Sequence, residues 1–397
     1  MKNKRISFFG MLLAALLLLM TGCAQNTPRE LSDMEETAVV QTLTAMAPTL
    51  PPPTETPTPT ATNTPTPTPT LVTSIGPDNF PADVNPLTGL QVENPNLLNR
   101  RPVIVKVANY PAVGRPHAGL SYADIVWEYY IGEGSNRFAA LYYGQDGEKI
   151  GPVRSGRLVD PELARMYQAV LAFSGANQEN VLPRIYDLLG NRILTEGNCP
   201  GLCRDDYTVV GVFANSADIT AQMEARGVTQ SKPDLTGMLF DTKLPAGGKN
   251  AEKATLFYNF LDKGDWVYDE TSGKYLRWIE NADNYEQMIP LVDRLNNQQL
   301  AFSNVIMAYA TYTEYSSVLH DIAVWDNTGG MPAVVFRDGK AYEVTWKATN
   351  QEKPIQFFDA QGNLFPLKPG NTWINLVGSN TTLEVTDSEW FFTFRMP

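Results

Sequence analysis

The segment from Pro48 to Thr70 is built almost entirely of proline and threonine, with long stretches in which the two alternate. Proline fixes its own φ angle and has no backbone N–H to donate, so such a run forms neither helix nor sheet and favours an extended polyproline II conformation. About 23 residues at roughly 3.1 Å each make a spacer of about 70 Å. The tract therefore divides the chain into an N-terminal leader and a C-terminal globular part, with no core of its own between them.

The leader has the pattern of a bacterial lipoprotein signal peptide. Three cationic residues, Lys2, Lys4 and Arg5, precede an apolar run over 6–20, and the small residues that follow lead to Cys23. This order of charged, apolar and small residues is typical of a cleaved export signal. We predict a signal peptide over 1–22 and a Thr/Pro-rich, disordered tether over 23–75, anchored to the cell membrane by lipid on Cys23. An ordinary secreted protein with an unmodified cysteine is the alternative.

The charge of the chain excludes some partners. The formal net charge is −12, and loss of Lys2, Lys4 and Arg5 with the leader takes it to −15. Nucleic-acid binding and a polybasic grip on anionic lipid heads both need a basic surface, so neither is expected. The sequence has two histidines, His117 and His320, which rules out a three-histidine zinc site. No metal and no cofactor are predicted.

The globular part has the pattern of an α+β fold. Over 76–245, apolar runs typical of strands alternate with helical segments, which predicts a mixed α/β N-terminal domain. Beyond the Pro/Gly-containing segment 245–248, short aromatic strands are separated by turn residues, which predicts a strand-rich, hairpin-dominated C-terminal domain over 246–397. A helix is expected over 181–189, and a hairpin is expected with strands 266–268 and 275–278 joined by the turn 271–273. The other expected strands include 170–173, 209–213, 322–325 and 364–367.

The N-terminal domain carries the polar residues most suited to a binding site. The segment 151–157 places two guanidiniums around a hydroxyl in a Gly/Pro loop, which is a suitable cradle for a carboxylate or phosphate. We predict a ligand site formed by the following residues: Asp124, Glu128, Arg137, Arg154, Ser155 and Arg157. The alternative is that these arginines form ion pairs within the fold with Asp124, Glu128 and Glu133.

Two further cysteines, Cys199 and Cys203, flank a Pro-Gly turn. In an oxidising compartment such a pair can close a small disulfide ring. A redox or metal site is the alternative, but the spacing is not that of thioredoxin, and no second Cys/His pair stands ready to complete a zinc site.

Several longer motifs resemble the YerB-type family of bacterial lipoproteins. They are Arg101-Pro102-Val103, Arg115-Pro116-His117-Ala118-Gly119-Leu120, Ala123-Asp124-Ile125-Val126-Trp127-Glu128, Gly151-Pro152-Val153-Arg154-Ser155 and Pro369-Gly370-Asn371-Thr372-Trp373-Ile374. The resemblance implies an extracytoplasmic lipoprotein with an N-terminal and a C-terminal domain of uncharacterised function. It implies no reaction.

These observations favour a binding module of the cell envelope over an enzyme. Its candidate partners are a cell-wall glycan, an anionic ligand or an envelope protein. The competing hypothesis is an envelope hydrolase acting on glycan or peptidoglycan, in which Asp124 or Glu128 is the general acid or base. A third hypothesis, a purely structural interaction module, predicts internally paired charges and no cleft.

Overall fold

The computed structural model of the protein describes residues 74–396, which lie within one compact unit spanning Thr70–Pro397. The leader, Cys23 and most of the tether fall outside the described residues. The described part is mostly β, in agreement with the strand-rich character predicted for 246–397. The mixed α/β arrangement predicted for 76–245 stays a prediction. Its three α-helices are Asp160–Met166 (α1), Val181–Leu189 (α2) and Ser216–Ala225 (α3).

An 11-stranded sheet, the central sheet, forms the middle of the fold. Its strands run in the spatial order Lys249–Asn250, Lys340–Lys347, Met331–Arg337, Asn304–Ala310, Thr372–Gly378, Ile125–Gly132, Ser135–Tyr142, Val103–Ala108, Val170–Phe173 and Ile193–Thr195, and Gln356–Phe358 pairs with Lys340–Lys347. Strands from both predicted domains therefore share one sheet. The domain boundary predicted between residues 245 and 246 stays a prediction, because a shared sheet does not show whether the two parts fold separately.

A second sheet contains seven strands. Its order is Asn284–Pro290, Lys274–Asn281, Asp262–Asp269, Lys253–Asn259, Glu389–Thr393 and Thr382–Thr386, with Ala301–Phe302 paired to Lys274–Asn281. Five short ribbons complete the strands: Ser74–Ile75 with Phe240–Asp241, Val84–Asn85 with Leu90–Gln91, Leu202–Arg204 with Val212–Ala214, Val292–Asp293 with Gln298–Gln299, and Tyr312–Ser316 with Leu319–Ile322.

The strand Thr372–Gly378 joins the two halves of the central sheet. It pairs in parallel with Asn304–Ala310 on one side and with Ile125–Gly132 on the other. All seven of its residues are buried. We did not predict this strand, because parallel neighbours distant in sequence leave no hairpin turn beside it to mark it.

The two faces of the central sheet are covered differently. On one face the indole of Trp373 contacts the rings of Trp266 and Phe302, at centroid distances of 6.1 and 5.0 Å. Both of these residues belong to the second sheet. On the other face Trp127 lies 6.4 Å from the ring of Tyr167, the residue that ends α1. The second sheet and α1 thus lie on opposite sides of the central sheet.

Three predicted strands differ from the structure. The strand expected over 209–213 begins only at Val212, because Val209 is 58% exposed and the Gly211 N–H closes a turn onto Thr208. The strand expected over 322–325 lies instead at Leu319–Ile322, paired with Tyr312–Ser316. The segment 364–367 makes only isolated bridges, through Leu364 and Leu367.

Candidate functional site

The predicted site residues Glu128 and Arg137 lie on opposite faces of the central sheet. The register pairs Glu128 with Phe138 and Tyr129 with Arg137. Successive side chains of a strand alternate between faces, so Glu128 points toward the second sheet, whereas Arg137 points toward α1. The structure therefore separates two residues that the sequence placed in one site.

Arg137, Arg154, Ser155 and Arg157 do lie together, and we call this group the arginine site. The Nη1 of Arg137 donates to the Ser155 carbonyl at 2.7 Å. The Nη1 of Arg157 donates to the Gly156 carbonyl at 3.0 Å and lies 3.4 Å from the Ser155 carbonyl. Arg154 donates to the carbonyl of Val209 at 3.0 Å. The loop is fixed against the sheet, because the Arg154 N–H donates to the Lys106 carbonyl at 2.9 Å.

The arginine site has more positive charge than its neighbours balance. Within residues 74–396, no carboxylate lies within 4 Å of the guanidinium of Arg137, Arg154 or Arg157, so the predicted ion pairs with Asp124, Glu128 and Glu133 are wrong. The Nε atom of each has no hydrogen-bond partner in the protein. Burial, together with the charges of Arg157 and Arg154, lowers the pKa of Arg137 to about 9. Arg137 is 7% exposed, whereas Arg154 and Arg157 are only partly buried and reach solvent.

A second group of polar residues lies behind the arginine site on the same face. Lys106 is fully buried, with its amine 3.2 Å from Asp160 at the start of α1 and in contact with the Tyr129 hydroxyl. Tyr129 also hydrogen-bonds Asp160, and the other oxygen of Asp160 accepts the Arg157 N–H at 2.6 Å. Burial lowers the pKa of Lys106 to about 7, with Arg137 and Arg157 adding to the effect and Asp160 opposing it.

Lys106 was not among the predicted site residues, although its sequence context carried a signal. The residue stands alone among apolar neighbours in the strand 103–108, all of which is buried. A lysine in a strand that is buried on both faces usually has a polar or charged partner, because burying an unpaired ammonium is costly.

Asp124 lies at a different place, at the start of the strand Ile125–Gly132. Its carboxylate accepts hydrogen bonds from the Asn85 side chain at 2.9 Å and from the N–H groups of Tyr143 and Gly144 at 2.7 and 2.9 Å. Burial raises its pKa to about 6, and these hydrogen bonds act in the opposite direction. Asp124 lines a cavity of about 690 Å³ together with residues from both halves of the chain.

Glu128 belongs to a buried cluster of charges between the central and second sheets. It is 1% exposed and accepts hydrogen bonds from Asn136 at 2.7 Å, from Trp373 at 2.9 Å and from Arg277 at 3.3 Å. The guanidinium of Arg277 lies 3.9 Å from the centre of the Trp266 ring, in cation–π geometry.

Two more carboxylates, Asp262 and Glu280, complete this cluster. Asp262 accepts from the backbone and side chain of Asn136 at 2.9 and 3.0 Å, and Glu280 forms an ion pair with Arg115 at 2.6 Å. Burial, with the nearby charges of Glu280 and Glu128, raises the pKa of Asp262 well above its usual range. The alternation of Tyr275, Arg277 and Ile279 along one buried strand face was the signal that could have identified Arg277.

Asp124 and Glu128 do not form a catalytic pair. Four residues of strand separate their backbones by about 13 Å, which is longer than the carboxylate separations of glycosidases. They also have different hydrogen-bond partners. Within residues 74–396, no group of three or more His, Cys, Asp or Glu side chains is placed to hold a metal ion.

The two remaining predictions concern cysteines. The structure joins Cys199 and Cys203 by a disulfide, with 5.0 Å between their Cα atoms. Cys23, the predicted lipidation site, lies outside the described residues. Over the described residues, none of the helices combines the length and the hydropathy that crossing a bilayer requires.

Comparison with known proteins gives consistent matches over most of the globular part. Two family models for a protein of unknown function (DUF3048) match, the N-terminal domain over residues 87–228 and the C-terminal domain over 255–374. The chain is 27% identical over 315 residues to YerB of Bacillus subtilis (strain 168), whose name describes it as a lipoprotein; the match covers 77% of this chain and 89% of YerB. A crystal structure of B. subtilis YerB matches with a TM-score of 0.61 at 25% identity, covering 74% of this chain and 96% of that one.

Proposed function

The chain belongs to the DUF3048 family of YerB-type lipoproteins, and from this premise we propose that it is a lipid-anchored envelope protein that binds an anionic ligand at the arginine site. The leader and Cys23 support the anchoring, and so does the name of the relative. The tether then holds the folded part outside the membrane. In this proposal the mixed α/β N-terminal half supplies the binding residues.

One observation carries the anion-binding proposal: the guanidiniums of Arg137, Arg154 and Arg157 donate only to neutral backbone carbonyls. Arg137 and Arg157 both approach the Ser155 carbonyl, and Arg154 lies close enough to lower the pKa of Arg137. Asp160 offsets part of this charge but forms no ion pair with either guanidinium. The remaining like charges repel each other, and low dielectric strengthens that repulsion. A bound anion would relieve it by offering a negatively charged acceptor to these donors.

The positive charges of the arginine site also indicate which of the candidate partners fits best. A neutral glycan supplies hydroxyl acceptors but no negative charge, so it would leave the repulsion in place. An anionic wall polymer, or an envelope protein that presents acidic groups, would remove it. We favour the anionic wall polymer, because the tether would hold the folded part away from the bilayer.

The hydrolase alternative has less support. It needs a carboxylic acid beside a water or a nucleophile. Glu128 is instead held by Arg277, Trp373 and Asn136 in a closed cluster, and Asp124 is held by three hydrogen-bond donors. Neither carboxylate lies on the face that carries the arginine site.

The test is retention of the lipid-free mature chain, residues 23–397 with Cys23→Ser, on purified cell walls with and without their anionic polymers. We expect retention only on the anionic walls. Arg154→Ala should weaken it roughly tenfold, because one charge-assisted hydrogen bond contributes about 1.5 kcal/mol or more.

Arg226→Ala is the matched control. Arg226 is exposed at the end of α3, so its loss removes the same charge away from the site. Equal weakening by both variants, or no retention of the unsubstituted chain, would contradict the proposal.

A further inference from the structure

We infer that the anionic group bound at the arginine site is a tetrahedral dianion of the phosphate type, and that Lys106 takes up a proton when this group binds. The inference rests on the proposed anion-binding function and specifies its ligand class and its regulation. It concerns residues of the described part only.

The charge count favours a dianion over a monoanion. Three guanidiniums lie at the site, and the nearest acid, Asp160, contacts Lys106, Tyr129 and the Arg157 N–H. When Lys106 is neutral, Asp160 offsets one of the three positive charges, so that two remain. A carboxylate would neutralise one of these two, whereas a phosphate-type dianion would neutralise both. The larger charge therefore removes more of the repulsion between Arg137 and its neighbours.

The geometry favours several oxygens in different directions. Arg137 reaches the site from the central sheet, while Arg154 and Arg157 reach it from the loop 151–157. Each guanidinium is a planar fork suited to two oxygens. A tetrahedral oxyanion presents separate oxygens to separate forks, whereas the two oxygens of a planar carboxylate can satisfy only one fork fully.

Lys106 couples this binding to protonation. It faces Arg137 from the neighbouring strand Ser135–Tyr142, Tyr129 from the next strand, Ile125–Gly132, Asp160 from α1 and Arg157 from the loop. Burial holds the pKa of Lys106 at about 7, and the positive charges of Arg137 and Arg157 disfavour its ammonium form. A dianion that offsets these charges would favour the ammonium form, so binding above about pH 7 should draw a proton into the protein.

Other titratable groups near the site do not account for such uptake at about pH 8. Arg137, with a pKa of about 9, is already mostly charged at this pH and can take up only a small fraction of a proton. Burial raises the pKa of Tyr129 well above its usual range, so the phenol keeps its proton throughout. Burial lowers the pKa of His320, and Arg157 acts in the same direction, so this imidazole stays neutral.

Calorimetric titration of the lipid-free mature chain with sulfate tests both parts. Sulfate is a tetrahedral dianion that does not itself titrate near neutral pH. Measured in two amine buffers of different ionisation enthalpy, the heat gives the number of protons taken up per sulfate bound. We expect uptake approaching one proton at about pH 8 and falling toward zero at about pH 5.5, where Lys106 is already charged. We also expect sulfate to bind at least tenfold more tightly than acetate at about pH 6.

Variants separate the parts of the inference. Lys106→Met should bind sulfate without proton uptake, and Arg154→Ala should bind it more weakly with uptake retained. If Lys106→Met does not fold, the number of protons taken up by the unsubstituted chain still tests whether sulfate binding is coupled to protonation. Sulfate binding without uptake at about pH 8 would overturn the role of Lys106, and equal affinity for acetate would overturn the dianion. Failure to bind sulfate, acetate or wall polymer would overturn the proposed function itself.

Discussion

The indole N–H of Trp373 donates a hydrogen bond to the carboxylate of Glu128 at 2.9 Å, across 245 residues of chain. The two residues belong to adjacent parallel strands of the central sheet. Their contact joins the N-terminal and C-terminal halves, and it orients Glu128 toward Arg277 on the second sheet. A carboxylate that sequence reasoning placed in a ligand site thus holds the fold together.

Replacing Glu128 should destabilise the protein strongly. Glu128→Ala leaves the guanidinium of Arg277, which is fully buried, without its closest carboxylate. Removing one partner of a buried ion pair typically costs about 3 to 5 kcal/mol. We expect a loss of this size in the free energy of unfolding, measured by urea denaturation followed by tryptophan fluorescence. Glu224→Ala, at an exposed position on α3, is the control. A loss no larger than that of the control would show that the cluster is not needed for stability.

Asp124 should make stability depend on pH between about 4 and 6. Burial raises the pKa of this carboxyl from 3.8 to about 6, so in this range the folded protein keeps a proton that the unfolded chain has released. The contribution of Asp124 is therefore most favourable at low pH and declines as pH rises to about 6, by about 3 kcal/mol in total. Asp124→Asn should remove this dependence of the free energy of unfolding on pH. Its altered hydrogen bonds should lower that free energy by the same amount at every pH. Unfolding midpoints measured at steps of pH check it, and an unchanged slope would contradict the assigned shift.

The disulfide between Cys199 and Cys203 should contribute modestly to stability. It closes a ring with a sequence separation of only four residues, and the entropy of so small a loop corresponds to about 2 kcal/mol. In the lipid-free chain with Cys23→Ser, a thiol assay should find no free cysteine before reduction and two after it. Reduction should lower the free energy of unfolding by about this amount, while the Cys199→Ser/Cys203→Ser variant should not respond to reductant. Free thiols in the oxidised protein as isolated would refute the prediction.

Cys23 should control where the protein resides. Because the cysteine is the only proposed site of lipid attachment, Cys23→Ser in the full-length chain should abolish incorporation of labelled fatty acid. Any membrane association that the variant keeps should then not involve an attached lipid. Labelling and fractionation of expressing cells measure both effects. Substitution of Ser32, in the predicted tether, serves as a control and should leave both unchanged.

The sequence predicted local elements well where neighbouring residues determine them. The strand Val170–Phe173 and the helix Val181–Leu189 follow apolar patterns that need no distant partner, and both occur with the expected bounds. The hairpin strands Asp262–Asp269 and Lys274–Asn281 were predicted from the turn between them. By contrast, Thr372–Gly378 was missed because its pairing partners are distant in the sequence.

The candidate site was predicted in part for the same reason. Arg154, Ser155 and Arg157 are close in sequence, so their grouping followed from the loop alone, and Arg137 joins them through the sheet. Glu128 precedes Tyr129 directly, yet the alternation of a strand sends the two side chains to opposite faces.

The sequence by itself predicts the export signal, the anchor at Cys23 and the extended tether, because these depend on local composition and on the geometry of proline. It also determined that the C-terminal part of the fold is rich in strands. Only the tertiary structure decided which charges face one another, since burial and pairing depend on strands brought together across hundreds of residues. That pairing placed Glu128 in a buried cluster with Arg277 and left Arg137, Arg154 and Arg157 without a carboxylate partner.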